Sequence, residues 1–133
     1  MKPQPLIAVR NVEISSRWYQ ALLGCRSGHG GAEYERLVYR NRLILQLHHW
    51  DAHEHPHLGK PEATLRGNGV LLWFETADFD EMLGRAQALK AEVLEGPKVN
   101  HSAQHRELWL RDPDGYVVVL ASAYGDLGPG ESK

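Results

Sequence analysis

The histidines are the side chains of this sequence best suited to chemistry. The chain has 133 residues and eight histidines, and most of them fall in two groups. The first group occupies one short stretch: His48, His49, His53, His55 and His57. The second group, His101 and His105, comes shortly before Glu107. Neutral imidazole is a common metal ligand and a general base near neutral pH, so these residues allow either metal binding or proton transfer.

Other kinds of active site have little support in the sequence. The single cysteine, Cys25, cannot form an internal disulfide, and we expect a small, partly buried strand residue there rather than a nucleophile. The glycine-rich segment 28–31 lacks the Lys-Ser/Thr that follows a phosphate-binding loop, so we expect a flexible turn. No Ser-His-Asp arrangement is evident. Among the polar residues, His48 and Glu107 remain as candidate general bases.

Composition narrows the class of partner. Hydrophobic residues make up 42% and charged residues 24% of the chain, as in ordinary soluble domains. The net charge of −2 gives no electrostatic reason to expect nucleic acid or an anionic membrane as a partner. No apolar run approaches the roughly 20 residues that span a bilayer, and the N-terminus lacks the features of a signal peptide. Together with the lone cysteine, this predicts a cytoplasmic protein.

The elements that must position these residues follow a regular order in the first half of the chain. Ser15 and Ser16 are good helix N-caps, and Gly24 is a natural helix stop. Arg40 and Asn41 form a polar turn between two alternating segments. The predicted elements are a strand at 6–9, a helix ending at Gly24, and strands at 33–39 and 43–49.

The second half repeats this order. Asp78 is a predicted N-cap, with Glu81 three residues later as in a capping box. Asp112-Pro113-Asp114-Gly115 is a strong tight-turn sequence between two strands. The predicted elements are a strand at 70–76, a helix with Phe79, Leu83, Ala86 and Leu89 on one face, a short strand at 92–94 ended by Gly96-Pro97, and strands at 107–111 and 116–122.

The two halves match in chemistry as well as in order. Asn11-Val12-Glu13 corresponds to Asp78-Phe79-Asp80 at an offset of 67 residues, which is half the chain. Internal duplication is the simplest explanation. We therefore expect a single α+β domain of tandem βαβββ modules, with a first module at 1–50, a connector at 51–68, a second module at 69–124 and a flexible tail at 125–133.

Three segments carry a resemblance to the vicinal-oxygen-chelate superfamily, the glyoxalase I, bleomycin-resistance and extradiol-dioxygenase group. The first, residues 11–24, resembles the family's acidic-residue, Ser, aromatic-Tyr, Leu-Gly pattern. The second is Trp73-Phe74-Glu75-Thr76-Ala77-Asp78-Phe79-Asp80, and the third is the Arg111-Asp112-Pro113-Asp114-Gly115 hairpin. The resemblance implies a cupped, barrel-like mixed sheet with helices outside, whose modules enclose a cavity that holds a metal in metal-using members.

The same resemblance places that metal on the first and last strands of each module. The matching positions in this sequence are Gln4 (or Pro5), Gln46, Leu71 and Val119. Leucine and valine offer no donor atom, and neutral amides are poor ligands for Zn, Ni, Fe or Mn. We therefore expect no metal cofactor. The alternative is a relocated metal site built from His48 with some of His53, His55, His57, His101 and His105.

Strand alternation predicts which side chains would line the cavity. Gln46 and His48 share one face of their strand, while Trp73, Glu75, Trp109 and Val119 share the corresponding face in the second half. Two tryptophans with a few polar groups are typical of a small-molecule pocket. The candidate ligand-binding residues are Gln46, His48, Trp50, Leu71, Trp73, His101, His105, Glu107, Trp109 and Val119.

The leading hypothesis is a metal-independent protein that sequesters an aromatic or amphipathic ligand, as the bleomycin-resistance branch does. That branch also implies a homodimer, with Trp50 as a candidate interface or crevice residue. The first alternative is a metal-dependent lyase or dioxygenase that uses relocated histidines. The second is a noncatalytic interaction domain whose cavity is filled by its own side chains.

Overall fold

A computed structural model describes residues 1–51 and 54–128. Its contacts divide the chain into two compact units with a break between Leu65 and Arg66. The strands of the described residues form two four-stranded mixed sheets, one in each unit, and no ladder among them closes a barrel. Each unit also carries one longer helix, so the predicted α+β fold of repeated βαβββ modules is confirmed.

The first unit has the strand order β1-β4-β3-β2, with β1 parallel to β4 and the remaining neighbours antiparallel. Helix α1 packs on β3 and β4, and Leu45 and Leu47 of β4 are fully buried. The elements are β1 (Leu6–Val9), α1 (Val12–Leu23), β2 (Arg26–Ser27), β3 (Tyr34–Tyr39) and β4 (Arg42–His49), and the 3-10 turn Pro56–Leu58 follows them.

The second unit repeats this arrangement with the order β5-β8-β7-β6, and β5 is parallel to β8. Helix α2 packs on β8, and the fully buried Val118 and Leu110 belong to the core of this unit. The elements are β5 (Leu72–Glu75), α2 (Phe79–Leu89), β6 (Glu92–Asn100), β7 (His105–Arg111) and β8 (Val117–Ala121).

The repeat extends to single residues. Leu6 pairs with Gln46 where β1 meets β4, and Trp73 pairs with Val119 where β5 meets β8. Asn11 and Asp78 cap the two helices, and each accepts a hydrogen bond from the backbone N–H three residues later. The offset of 67 residues seen in the sequence therefore relates β1 to β5 and the start of α1 to the start of α2, whereas the equivalent residues Gln46 of β4 and Val119 of β8 are 73 residues apart.

The prediction of Ser15 and Ser16 as helix caps was wrong, because α1 begins one turn earlier. Asn11 takes an extended backbone conformation and its side chain satisfies the Ile14 N–H, so the helix needs no later cap. Both serines lie inside the helix and are buried. On α2, Met82 rather than Leu83 is buried with Phe79 and Ala86, so the predicted apolar face is rotated slightly.

The prediction that Gly96-Pro97 ends a short strand was also wrong, because β6 continues to Asn100. Proline cannot donate a ladder hydrogen bond, and the pairing with β7 shifts its register between Glu95 and Lys98. The ladder then resumes with Lys98 opposite Glu107. A Cβ atom at Gly96 would lie 2.7 Å from the Glu107 carbonyl oxygen, so the close approach of β6 to β7 requires glycine there.

The two hairpin turns predicted at 40–41 and 112–115 are confirmed. Arg40 and Asn41 have φ values of 48° and 65° between β3 and β4. In the second turn the Asp112 carboxylate accepts the backbone N–H groups of Asp114, Gly115 and Tyr116. Asp112 therefore stabilises the tight turn that the sequence predicts at this position. No helix among the described residues is long and apolar enough to cross a membrane.

Candidate functional site

One face of the second sheet carries most of the predicted site residues. On β7, Arg106 lies over the ring of Phe79 and pairs with Asp80 at the start of α2, so its side of the strand faces the helix. Alternation places His105, Glu107 and Trp109 on the opposite side. We call this side, with its cross-strand partners, the helix-free face. It comprises Trp73 and Glu75 of β5, Lys98 and Asn100 of β6, His105, Glu107 and Trp109 of β7, and Val119 and Ala121 of β8.

The helix-free face is organised in two rows across the strands. Val119 pairs with Trp73 on one side and with Trp109 on the other. In the next row, Ala121 pairs with Glu75 and with Glu107. Since neighbouring strands lie about 4.8 Å apart, each row spans roughly 10 Å between its outer backbones. Small side chains thus form a floor between two aromatic and two acidic side chains.

Glu107 is the centre of a hydrogen-bonded cluster on this face. Its Oε2 atom accepts from Nδ2 of Asn100 at 2.8 Å and contacts Nε2 of His105 at 2.6 Å. Its Oε1 atom accepts from Nε1 of Trp109 at 2.8 Å. The Glu107 side chain is only 2% exposed. Burial by itself raises the pKa of Glu107, but the hydrogen bonds from His105, Trp109 and Asn100 outweigh it and lower that pKa below its ordinary value.

His105 completes the cluster from the same strand. Its side chain is 6% exposed, and its Nδ1 atom is buried with no hydrogen-bond partner among the described residues. The Trp73 ring lies 5.9 Å from the His105 ring, with the two planes inclined at 47°. Trp73 belongs to β5 and His105 to β7, so the indole reaches across β8 to make this contact. Trp73 remains 45% exposed.

The charges on this face do not balance. Lys98 forms an ion pair with Glu95, and Arg111 forms one with Glu92. Lys98 also lies 5.5 Å from the centre of the Trp109 ring. Among the described residues, neither a lysine nor an arginine forms an ion pair with Glu107 or with the exposed Glu75, and the only basic side chain in ion-pair contact with Glu107 is His105. The helix-free face therefore carries an excess of negative charge beside its two tryptophans.

The equivalent face of the first sheet is polar in a different way. Tyr34 of β3 donates its hydroxyl to Oε1 of Gln46, and Gln46 donates from Nε2 to the Gln4 carbonyl at 3.0 Å. Arg36 donates to the Tyr34 hydroxyl at 3.3 Å. Register places Tyr34 where the second unit has Glu107, because Tyr34 pairs with His48 as Glu107 pairs with Ala121. Gln46 is thus held by internal hydrogen bonds.

Three members of the first histidine group, His48, His49 and His55, lie close together. The rings of His48 and His55 lie 4.7 Å apart edge to face, and His48 stacks on His49 at 5.1 Å. One ligand atom from each of Asp51, Glu54 and His55 lies within 4.8 Å of the others, which is close enough to share a cation. Glu54 and His55 are exposed, and His55 already lies 3.5 Å from Asp51. His53 lies outside the described residues, and His57 is exposed in the 3-10 turn.

Three other predicted site residues lie apart from the cluster on the second sheet. Trp50 lines a surface cavity of about 640 Å³ in the first unit, together with Lys60, Pro61 and Glu62. Leu71 precedes β5 and is 43% exposed. His101 is exposed in the loop before β7, where its carbonyl accepts from Gln104. Trp73, His105, Glu107, Trp109 and Val119 share the helix-free face.

Solved structures of other proteins match this arrangement over nearly the whole chain. A protein of unknown function from Agrobacterium tumefaciens has a TM-score of 0.73 and 22% identity, over 92% of this chain and 94% of that one. A glyoxalase/bleomycin resistance protein/dioxygenase family enzyme from Burkholderia phytofirmans has a TM-score of 0.71 and 18% identity, over 90% and 96%. Fosfomycin resistance protein FosX from Mesorhizobium loti has a TM-score of 0.65 and 15% identity, over 92% and 91%.

The chain has the glyoxalase/bleomycin resistance fold. The fold class expected from the sequence resemblance is thereby confirmed. No protein-family model and no curated protein matches this sequence.

The residues at this fold's expected metal positions do not suit a metal. Both amide atoms of Gln46 are engaged, by Tyr34 and by the Gln4 backbone. Leu71 and Val119 have no donor atom, and Val119 is fully buried. A divalent transition metal binds imidazole, thiolate or carboxylate groups, so this set gives it nothing to coordinate. No chemical step is therefore assigned to a metal at these positions.

Sequence reasoning missed several residues that organise the sites. Asn100 and Lys98 lie on the part of β6 beyond Pro97, which was predicted to be outside the strand. In the first unit, Glu35 is buried and accepts hydrogen bonds from Ser16 and Ser27. The sequence did contain a signal that Glu35 is buried and hydrogen-bonded. Glu35 lies two residues before Leu37 and therefore on the same, apolar side of β3, where a carboxylate must find hydrogen-bond partners.

Proposed function

We propose that this protein binds small molecules that carry a flat apolar ring and a positive charge, on the helix-free face of the second sheet and without a metal. The proposal rests on the buried and fully hydrogen-bonded carboxylate of Glu107. A buried carboxylate is costly unless it is fully hydrogen-bonded, and here the donors that stabilise it come from side chains that also form the face. An ionised carboxylate of this kind attracts a cation.

The aromatic residues define the other half of the ligand. Trp73 and Trp109 stand on either side of Val119, and indole faces attract cations as well as flat rings. The exposed carboxylate of Glu75 adds negative charge in the next row. One protein of the same fold is named for resistance to fosfomycin, which supports a small molecule rather than a macromolecule as the ligand class.

Calorimetric titration with naphthylmethyl-trimethylammonium, a flat ring bearing a fixed positive charge, tests the proposal. We expect saturable binding that is lost in Trp109→Ala and weakened at least about tenfold in Glu107→Gln. Trp50→Ala is the matched control, because it makes the same substitution at the surface cavity of the first unit. Failure of this compound and of other flat cations to bind would refute the proposed function. Loss of binding only in Trp50→Ala would move the site to the first unit.

A second candidate is a cation-dependent function at Asp51, Glu54 and His55, which we call the connector cluster. The convergence of one imidazole and two carboxylates within 4.8 Å favours it. Such a donor set suits a divalent ion such as Zn, Ni, Fe or Mn. It corresponds to the relocated metal site that the sequence offers as an alternative, which would serve a lyase or dioxygenase. Of the histidines proposed for that site, only His55 belongs to the connector cluster, and the His48 ring lies beside it. Elemental analysis tests this candidate.

The homodimer implied by the resemblance remains part of the proposal. Light scattering coupled to size-exclusion chromatography measures it directly. A mass of one chain at micromolar concentration would remove the dimer from the proposal and leave the binding site on the second sheet intact.

A further inference from the structure

We infer that Nδ1 of His105 is the hydrogen-bond acceptor of this site, and that it selects ligands whose charged group carries an N–H donor. The inference rests on the proposed function, because it specifies the chemistry of the same ligand. It begins from the contact between Nε2 of His105 and Oε2 of Glu107 at 2.6 Å.

The tautomer of His105 follows from its partner. An ionised carboxylate only accepts hydrogen bonds, so Nε2 of His105 must carry the hydrogen that it shares with Glu107. In the neutral imidazole, Nδ1 then has a lone pair without a donor and carries no hydrogen. A protonated imidazole would instead bury an Nδ1–H donor without an acceptor, so the inference applies to the neutral ring.

The surroundings of Nδ1 point to a ligand as its missing partner. The atom is buried and has no partner among the described residues, whereas buried polar atoms are nearly always hydrogen-bonded. The neighbouring His105 atom, Nε2, is fully engaged in the Glu107 cluster. Glu107 orients the His105 ring through Nε2, whereas Nδ1 on the other side of the ring has no donor among the described residues. Nδ1 is therefore positioned to accept a hydrogen bond from a bound ligand.

We expect Trp73 to be the side chain that moves to admit that donor. Its ring lies next to the His105 ring across β8, and it is the half-exposed member of the pair. Ala121 and Val119 beneath it are small and fully buried, so they form a fixed floor. Rotation of the indole away from His105 would open a space bounded by these residues and by Trp109.

A matched pair of ligands tests the selectivity. Naphthylmethyl-dimethylammonium and naphthylmethyl-trimethylammonium share the ring and the charge, but only the first has an N–H donor. We expect the dimethyl compound to bind the unmodified protein about tenfold more tightly, a preference that disappears in His105→Leu and persists in His101→Leu. His101 is the control because it is exposed, and because its backbone carbonyl rather than its ring accepts the hydrogen bond from Gln104.

The outcomes separate the two proposals. If neither compound binds, the proposed function fails. If both bind equally to the unmodified protein, the binding function survives and the role of His105 is refuted. Nitrogen NMR of isotope-labelled protein without ligand gives an independent readout that needs no variant. We expect hydrogen on Nε2 and none on Nδ1 of His105, and a protonated Nδ1 would overturn the inference.

Discussion

Nε2 of His105 lies 2.6 Å from Oε2 of Glu107, and the two side chains are 6% and 2% exposed. The residues are two apart on β7, so strand alternation alone brings them to the same face. Two further side chains donate to the same carboxylate: Asn100 from β6, and Trp109, which lies two residues beyond Glu107 on β7. Glu107 is thus the acceptor for one buried donor, on His105, and for two half-buried donors, on Asn100 and Trp109.

Replacing Glu107 by glutamine should destabilise the protein. The substitution replaces one carboxylate oxygen by an NH2 group, which would point at the N–H donors of His105, Asn100 or Trp109. At least one of these donors would then lose its acceptor, at a cost of about 2 kcal/mol. Urea unfolding measures the change as a shift of the midpoint. Glu95→Gln is the matched control, because Glu95 is an exposed residue on the same sheet that pairs with Lys98. We expect its effect to stay within about 0.5 kcal/mol. Equal effects of the two substitutions would contradict this account of Glu107.

Acid should destabilise the first unit through Glu35. Its Oε1 atom accepts the backbone N–H groups of His29, Gly30 and Arg36. Burial by itself raises the pKa of Glu35, but hydrogen bonds from Ser27, Ser16, Gly30 and Arg36 outweigh it and lower the pKa below the ordinary value of 4.5.

The sign of the effect follows from this direction. A folded-state pKa below the unfolded value means that the unfolded chain binds protons more readily, so the free energy of unfolding rises with pH through this range. The stabilisation from Glu35 is present above the unfolded pKa of 4.5 and is lost as pH falls through the folded pKa. We expect Glu35→Gln to be less stable at neutral pH and to lose less stability on acidification. The exposed Glu33→Gln serves as the control, and a pH profile of Glu35→Gln parallel to that of the control would refute the prediction.

Cys25 should be unreactive in the folded protein. Burial raises the pKa of its thiol to about 11, while a backbone hydrogen bond lowers it and the Glu35 charge raises it further. Because the thiolate is the nucleophile, we expect almost no alkylation by iodoacetamide at about pH 8.5, near the pKa of a free cysteine. Mass spectrometry should show rapid alkylation in urea. Rapid labelling of the folded protein would mean that the thiol is accessible and would reopen a nucleophilic role for it.

Untagged protein purified without chelators should hold much less than one metal ion per chain. Gln46, Leu71 and Val119 cannot coordinate one, and two members of the connector cluster are exposed. Elemental analysis measures the content. About one tightly held Zn, Ni, Fe or Mn per chain would contradict the prediction. Loss of that ion in both Asp51→Asn and His55→Gln would then assign it to the connector cluster and favour the second candidate function.

The duplicated fold was readable from the sequence because it depends on local signals. Alternation of apolar and polar side chains has a period of two in strands, and turns such as Arg40-Asn41 and Asp112–Gly115 need particular residues at particular positions. The correspondence of Asn11 with Asp78 was visible for the same reason, since a helix cap acts on the three residues that follow it. Trp73, Glu75, Trp109 and Val119 were placed on one face by alternation alone, and the strand pairing agrees with that placement.

Tertiary structure decided which partners those side chains meet. The extension of β6 past Pro97 depends on a ladder with β7, which no local propensity encodes, and this ladder brings Asn100 to Glu107. The segment after Ser27 was predicted to be a flexible turn, yet the buried Glu35 holds the backbone of His29 and Gly30. Likewise, Trp73 and His105 belong to strands that are not neighbours, and their ring contact exists only because both flank β8. Local sequence therefore determined the elements and their faces, whereas long-range strand pairing determined the hydrogen bonds, because residues distant along the chain come within reach only in the assembled sheet.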